Sequence, residues 1–248
     1  MFRPGVVIPV FNHDRHIHAL VDVMLDMQLP CIVVDDGSAP SCANTLQQLA
    51  DTHSERVTLV KHTVNQGKGA AVLSGIAAAG AAGCTHALQI DADGQHAVND
   101  VPRLLELARL NPTALVTGQP QFDDSVPRAR LYLRYLTHVM VSVNTLTWGV
   151  RDAMCGFRVY PIQSVMTLAQ HVRLGRRMDF DIEILVRLDW AGVPIVTMPT
   201  RVRYPIDGVS HFRMWADNAR ITGMHTRLFL TMLRKAPALL IRRARASR

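Results

Sequence analysis

Two aspartates, Asp91 and Asp93, stand one residue apart in the segment ALQIDADGQH (87–96), directly after a short apolar run. Carboxylates this close repel unless a cation or a set of donors offsets their charge. A D-x-D at a strand end suits Mg²⁺ or Mn²⁺, hard cations that take one or two carboxylates and complete their shell with substrate phosphate oxygens. The same residue types also cap turns. A second acidic pair, Asp35-Asp36, closes CIVVDDGS (31–38), and NQGKGA (65–70) adds Asn65 and Lys68 between two glycines. NQGKGA is not a Walker P-loop, because Lys68 is followed by Gly69 and the upstream glycine is missing; nor does a G-x-G-x-x-G follow the first apolar run. Kinase, ATPase and dehydrogenase chemistry are disfavoured accordingly.

Positioning two acidic clusters at one site requires elements that end side by side. The runs GVVIPV (5–10), CIVVDDGS (31–38), VTLVKH (57–62) and THALQI (85–90) read as strands. Helix-like segments from about Asp14 to Met27 and over GKGAAVLSGIAAAGAAG (67–83) separate them. This alternation predicts an α/β chain with a mostly parallel, Rossmann-like sheet flanked by helices. In such sheets ligands bind beyond the carboxyl ends of the strands, where both acidic pairs fall. FDIEILVRLDWAGVPI (180–195) reads as a helix-to-strand unit whose Asp181 and Glu183 favour the helix dipole.

With 248 residues, 48% of them hydrophobic and 19% charged, the chain supports one sizeable core. The expected division is a domain over 1–220 and a basic amphipathic tail over 221–248. Cys31, Cys42, Cys84 and Cys155 form no C-x-x-C pair, which argues against a zinc ribbon or disulfide scaffold and suits a reducing cytosol. No charged segment with a long apolar core opens the sequence, so no signal peptide is expected. From Arg201 onward there are 11 Lys and Arg against 2 Asp, leaving 16 basic against 18 acidic residues before it. The basic end suits a phosphorylated substrate or anionic lipid; no zinc-finger or RNA-binding signature accompanies it, and nucleic acid is not an expected partner. Arg234, Lys235 and Pro237 interrupt its apolar stretch, which falls short of the ~20 residues needed to span a bilayer. A helix lying on an anionic membrane surface is the expectation, with docking on its own domain as the alternative. RARLYLRYLTHVMVSVNTL (128–146) is similarly amphipathic.

Taken together and in order, VVIPVFN, VVDDGS, NQGKGAA, DADGQH and DAMCGFRVY resemble glycosyltransferase family 2, with its GT-A fold. Within that family the similarity is greatest to the dolichyl- or polyprenyl-phosphate sugar transferases, over roughly residues 5 to 210. The resemblance implies inverting, metal-dependent transfer of one sugar from a UDP- or GDP-type nucleotide-diphosphate sugar to an acceptor. That acceptor is expected to be a lipid-linked phosphate, with a hydroxyl of another lipid or glycan as the alternative, or a non-catalytic nucleotide-sugar-binding module. The implied cofactor is Mg²⁺ or Mn²⁺, and the implied location is cytoplasmic, peripheral to the inner face of the cytoplasmic membrane. No Q-x-x-R-W follows, which argues against a processive polymerase. A nucleotidyltransferase would carry a G-x-G-T-R loop, which PVFNHDRH lacks.

Carried onto this sequence, the family pattern assigns the donor to Pro9, Asn12, Asp35, Asp36, Asn65, Lys68 and Asp91, and the metal to Asp91, Asp93 and Gln95. RDAMCGFRVY (151–160) places Asp152 on the acceptor side, with Cys155 where the family often has Ser. Asp152 would act as general base toward a hydroxyl, whereas a phosphate acceptor needs none. Arg158 joins Asp152 and Arg213 among the catalytic candidates, although bracing the loop is its simpler role. YPIDGVSHFRMWADN (204–218) departs from the family's R-x-x-G-x-S-K ending, so Ser210, His211 and Arg213 are expected over the diphosphate. Arg128, Arg130 and Arg134 are the expected contacts of an acceptor phosphate.

Overall fold

The structure, a computed structural model, describes residues 1–121, 128–201 and 214–246. Its sheet contains β1 (Pro4–Val10), β2 (Cys31–Asp35), β3 (Val57–Lys61), β4 (His86–Gln89), β5 (Leu115–Gln121), β6 (Arg158–Pro161) and β7 (Ile195–Arg201), in the order β3-β2-β1-β4-β6-β5-β7. Only β6 runs antiparallel to its neighbours. Every position of β2 is buried, as a near-continuous apolar strand covered on both faces must be.

Helices α1 (Ile17–Asp26), α2 (Pro40–Thr52) and α4 (Val101–Leu110) supply Val21, Leu46 and Leu104 to the core on one face. On the other, α3 (Lys68–Ala81), α6 (Ile162–His171) and α7 (Phe180–Trp190) supply Ile76, Val165 and Leu185. The small residues of α3 have a packing reason. A Cβ built on Gly75 would lie 2.3 Å from Val7 Cγ1, so a larger side chain would lift the helix off β1.

Two long helices complete the second layer: α5 (Arg128–Thr145) and α8 (Met214–Ala246). The helix α8 is continuous over 33 residues with Pro237 inside it, and it begins ahead of the boundary expected at 221. Its Met224, Leu228, Met232 and Leu239 are buried, so this segment is docked on its own domain and is not a free tail. Phe229, Leu230, Leu233, Leu240 and Ile241 nevertheless remain exposed. No helix among the described residues is long and apolar enough to cross a membrane.

Candidate active site

Strand order reverses between β1 and β4, and the crevice at such a switch point is where open α/β sheets bind ligands. Asp35 ends β2 there, Asp91 follows β4, and Lys68 opens α3. The Lys68 ammonium donates to Asp91 Oδ2 at 2.7 Å and sits 3.1 Å from Asp181 Oδ2. Flanked by both carboxylates, Lys68 holds its proton more tightly than an ordinary lysine, their attraction outweighing the effect of burial. Asp91 is correspondingly shifted down by Lys68 and His96, against the upward pull of its burial. Asp93 is shifted up, first by burial and then by the Asp91 charge.

Asp91 Oδ1 is buried and has no hydrogen-bond partner among the described residues. Asp93 uses Oδ1 to accept from the Gln95 main-chain N–H at 3.0 Å. A buried carboxylate oxygen without a partner, beside a second acid, fits a divalent cation. No group of three or more His, Cys, Asp and Glu side chains able to hold a metal occurs among the described residues.

The second acidic pair divides its work. Asp36 is buried and accepts from His62 Nδ1 at 2.7 Å, Asn65 Nδ2 at 3.0 Å, Gln66 N at 2.9 Å and Gly67 N at 2.8 Å. Four bonds from its own chain engage this carboxylate, so it clamps the loop before Lys68. Gly37 makes the clamp possible: its φ is +72°, and a Cβ there would meet Asn65 N at 2.5 Å. Asp35 accepts only from Ser38 N, at 2.9 Å, among the described residues. Asn12, at φ 54°, accepts from Ala39 N at 2.7 Å and ties the end of β1 to the same turn. Pro9 lies within β1, opposite Val34. Asn65 also accepts from Arg177 Nη1 at 3.0 Å, so both ends of its amide are held.

On the acceptor side, Asp152 Oδ1 accepts from the N–H groups of Met154 and Cys155 at 2.9 and 2.8 Å. Its Oδ2 accepts from Arg134 Nε at 2.5 Å. Arg134, Asp152, His138, Arg151 and Gln119 line a cavity of about 230 Å³. Within it, His138 Nδ1 is buried with no partner among the described residues. Arg158 is 0% exposed; it donates to the carbonyls of Asp181 at 2.6 Å and Ala153 at 2.8 Å. These buried bonds brace the loop, the simpler of the two roles expected of Arg158. Arg128 and Arg130 fall in the first turn of α5, but their side chains lie outside the described residues, as do Ser210, His211 and Arg213 entirely.

Several participants escaped the sequence reading. Asp181, read as a helix cap, is the second counter-charge of Lys68. Arg176 and Arg177 strap the 65–70 loop, the carbonyl of Arg176 accepting from Ala70 N at 3.0 Å. His96 stacks on Phe157 with ring centroids 5.3 Å apart and lies 3.7 Å from Asp91. Gly156 abuts the cluster: a Cβ there would meet Lys68 Nζ at 2.7 Å and Asp91 Oδ2 at 2.9 Å. Only His96, within DADGQH, and Gly156, within GFR, carried a local signal; the others are brought in by tertiary packing.

The chain is similar to known proteins in sequence and in fold. A family model described as Glycosyl transferase family 2 matches residues 5–168. A dolichyl-phosphate β-glucosyltransferase of Trichomonas vaginalis is 27% identical over 221 residues, spanning 76% of this chain and 62% of its own length. A UDP-N-acetylglucosamine–dolichyl-phosphate N-acetylglucosaminyltransferase of Methanococcus voltae is 24% identical over 220 residues, spanning 79% of this chain and 85% of its own. Among solved structures, glucosyl-3-phosphoglycerate synthase of Mycobacterium tuberculosis, bound to Mn²⁺, UDP-glucose and phosphoglyceric acid, superposes with a TM-score of 0.67 at 16% identity, over 93% of this chain and 79% of that one. A mannosyltransferase of Pyrobaculum calidifontis with GDP-mannose and Mn²⁺ gives 0.57 at 19% identity, over 98% and 75%. Those two likenesses concern the GT-A fold, whereas the family model covers well over half of the sequence, and the chain therefore belongs to glycosyl transferase family 2 as a glycosyltransferase akin to the polyprenyl-phosphate sugar transferases.

Proposed function

We propose that this enzyme transfers a single sugar, with inversion, from a UDP- or GDP-type nucleotide-diphosphate sugar to the phosphate of a polyprenyl lipid, working at the cytoplasmic surface of a membrane. The observation that carries the acceptor class is the engagement of Asp152. One of its oxygens accepts from two main-chain N–H groups and the other from Arg134, so it is poorly placed to take a proton from an attacking hydroxyl. A lipid phosphate is already anionic near neutral pH and attacks without a base. The cavity beside Asp152 offers such a group Arg134, Arg151 and the unsatisfied His138 Nδ1. The dolichyl-phosphate transferases among the relatives support the same class.

On the donor side, Asp35 offers a carboxylate to the nucleoside, and Lys68 places a positive charge at the mouth of α3. Asp91 and Asp93, with Gln95 beside them, would hold Mg²⁺ or Mn²⁺, which supplies charge to the departing nucleoside diphosphate. The test is to incubate the enzyme with radiolabelled nucleotide sugars, Mn²⁺ and a membrane extract. Label should enter a lipid from which mild acid releases it, as a glycosyl phosphate requires. Label in an acid-stable glycolipid would instead establish a hydroxyl acceptor and overturn the reading.

A further inference from the structure

A second cavity, of about 250 Å³, opens at the other edge of the sheet, and neither the donor nor the acceptor uses it. Ile195, the first residue of β7, lines it, and β7 runs in the same sense as β4, so the cavity is at the amino edge while Asp91 is at the carboxyl edge. Arg242 and Arg243 from α8 face Asp189 of α7 across it, with Thr147, Gly149 and Gly192 completing the wall. Asp189 accepts from Arg243 Nη2 at 2.7 and 2.8 Å and from Arg242 Nη2 at 3.3 Å. Two guanidinium groups against one carboxylate leave an excess positive charge, and Arg243 Nε is buried with no partner among the described residues. Beside the cavity in sequence, Trp148 is 70% exposed and Leu240 and Ile241 are each 56% exposed. The Trp148 ring centre also lies 6.2 Å from that of His138, which lines the acceptor cavity.

We propose that this second cavity binds the phosphate headgroup of an anionic phospholipid, and so fixes how the protein sits on a membrane. Arg242 Nη1 also donates to the Trp190 carbonyl at 3.3 Å and Arg243 Nη2 to the Thr145 carbonyl at 2.9 Å, and the guanidinium N–H groups left over select a phosphate, by a fork of donors that an ammonium group does not reproduce. The neighbouring exposed indole and aliphatic side chains select an amphiphile over a free anion, because they would be buried among acyl chains as the headgroup docks. The inference does not depend on which sugar or acceptor the enzyme uses.

Flotation of the full chain with phosphatidylcholine vesicles, with and without phosphatidylglycerol, tests it. A purely diffuse attraction gives each arginine about the same weight, roughly a fivefold loss of partitioning when neutralised. A built site instead predicts that Arg242→Gln loses about twentyfold on the anionic vesicles while Arg245→Gln, exposed on the same helix end, stays within about fivefold. Asp189→Asn supplies the opposite sign: removing the competing carboxylate should strengthen binding several-fold. Equal losses for the two arginine variants, or an Asp189→Asn protein that melts lower and binds no better, would overturn the site and leave a mere brace for α8. Inorganic phosphate provides the last arm. If it raises the melting temperature of the wild type but not of Arg242→Gln, while anionic vesicles do not discriminate the two, the cavity takes a free anion and the lipid assignment fails.

Discussion

At the scale of single residues, charge and not volume decides the donor site. Asp93→Asn keeps the shape of the side chain and removes one negative charge from a pair that lies among buried groups. Turnover should fall by about a hundredfold or more across a Mn²⁺ titration, with the melting temperature unchanged, because the substitution removes the proposed cation ligand and no core packing. Cys155 makes the opposite kind of statement. Burial, reinforced by the nearby Asp152 charge, pushes its thiol from 9.0 up to about 12. The unfolded chain therefore ionises this thiol first, and stability falls as pH rises between about 9 and 12, with no contribution below. Chemical denaturation across that window should show a flatter decline for Cys155→Ser, and thiol reagents at mildly alkaline pH should reach Cys155 only after unfolding.

At the scale of elements, the loop from Asn65 to Gly67 has little apolar contact of its own and is held from outside by Asp36. Asp36→Ala strips the acceptor from His62, Asn65 and two main-chain N–H groups at once. The expected destabilisation is about 2–4 kcal/mol in urea unfolding, with a raised KM for the donor as Lys68 loses its mooring. The strands and helices that position this loop were legible in the sequence because they obey simple periodicities. The runs at 5–10, 31–38, 57–62 and 85–90 contain or overlap β1 to β4, and the Ala-rich stretch at 67–83 contains α3. The acidic pair Asp91 and Asp93, proposed above to hold the metal, stood out for a related reason, since a D-x-D at a strand end is a local pattern. The partner of Lys68 was not. Asp181 lies more than 100 residues downstream, in a helix start whose local chemistry is fully explained by the dipole, so nothing in its neighbourhood signals a contact. The clamp formed by Asp36 was not legible either, because DDGS reads as two equivalent acids and its partners His62, Asn65, Gln66 and Gly67 come from a loop some thirty residues away.

At the scale of the whole molecule, α8 changes the expectation for the membrane. Its inner face is part of the core, so removing residues from about Arg227 onward would delete the buried Leu228, Met232 and Leu239 as well as a basic segment. The outward stripe of Phe229, Leu230, Leu233, Leu240 and Ile241 is available without any undocking. Leu230→Ser combined with Leu233→Ser, at positions 57% and 53% exposed, should therefore leave the melting temperature within about a degree. The same double variant should lose flotation with anionic vesicles several-fold, and raised salt should weaken what remains, since the leaflet's pull decays over a Debye length of ~8 Å. Unchanged flotation would shift the contact to α5, whose Tyr132, Tyr135 and Leu136 are also exposed.

The bridge from Lys68 to Asp181 has a consequence for how much of the chain constitutes a working enzyme. The stretch shared with the family ends at 168, before Arg176, Arg177 and Asp181. A polypeptide severed between α6 and α7 would yield one piece with Asp35, Asp91 and Asp93 all in place. Its lysine would nevertheless have lost half of its counter-charge, and its donor loop the strap across Asn65 and Ala70. Neither piece should turn over a nucleotide sugar alone. Produced together, they should complement one another only to the extent that they reassemble, and Asp181→Asn in the second piece should abolish the rescue. The smallest catalytic unit is thus longer than the signature by which its kinship is recognised.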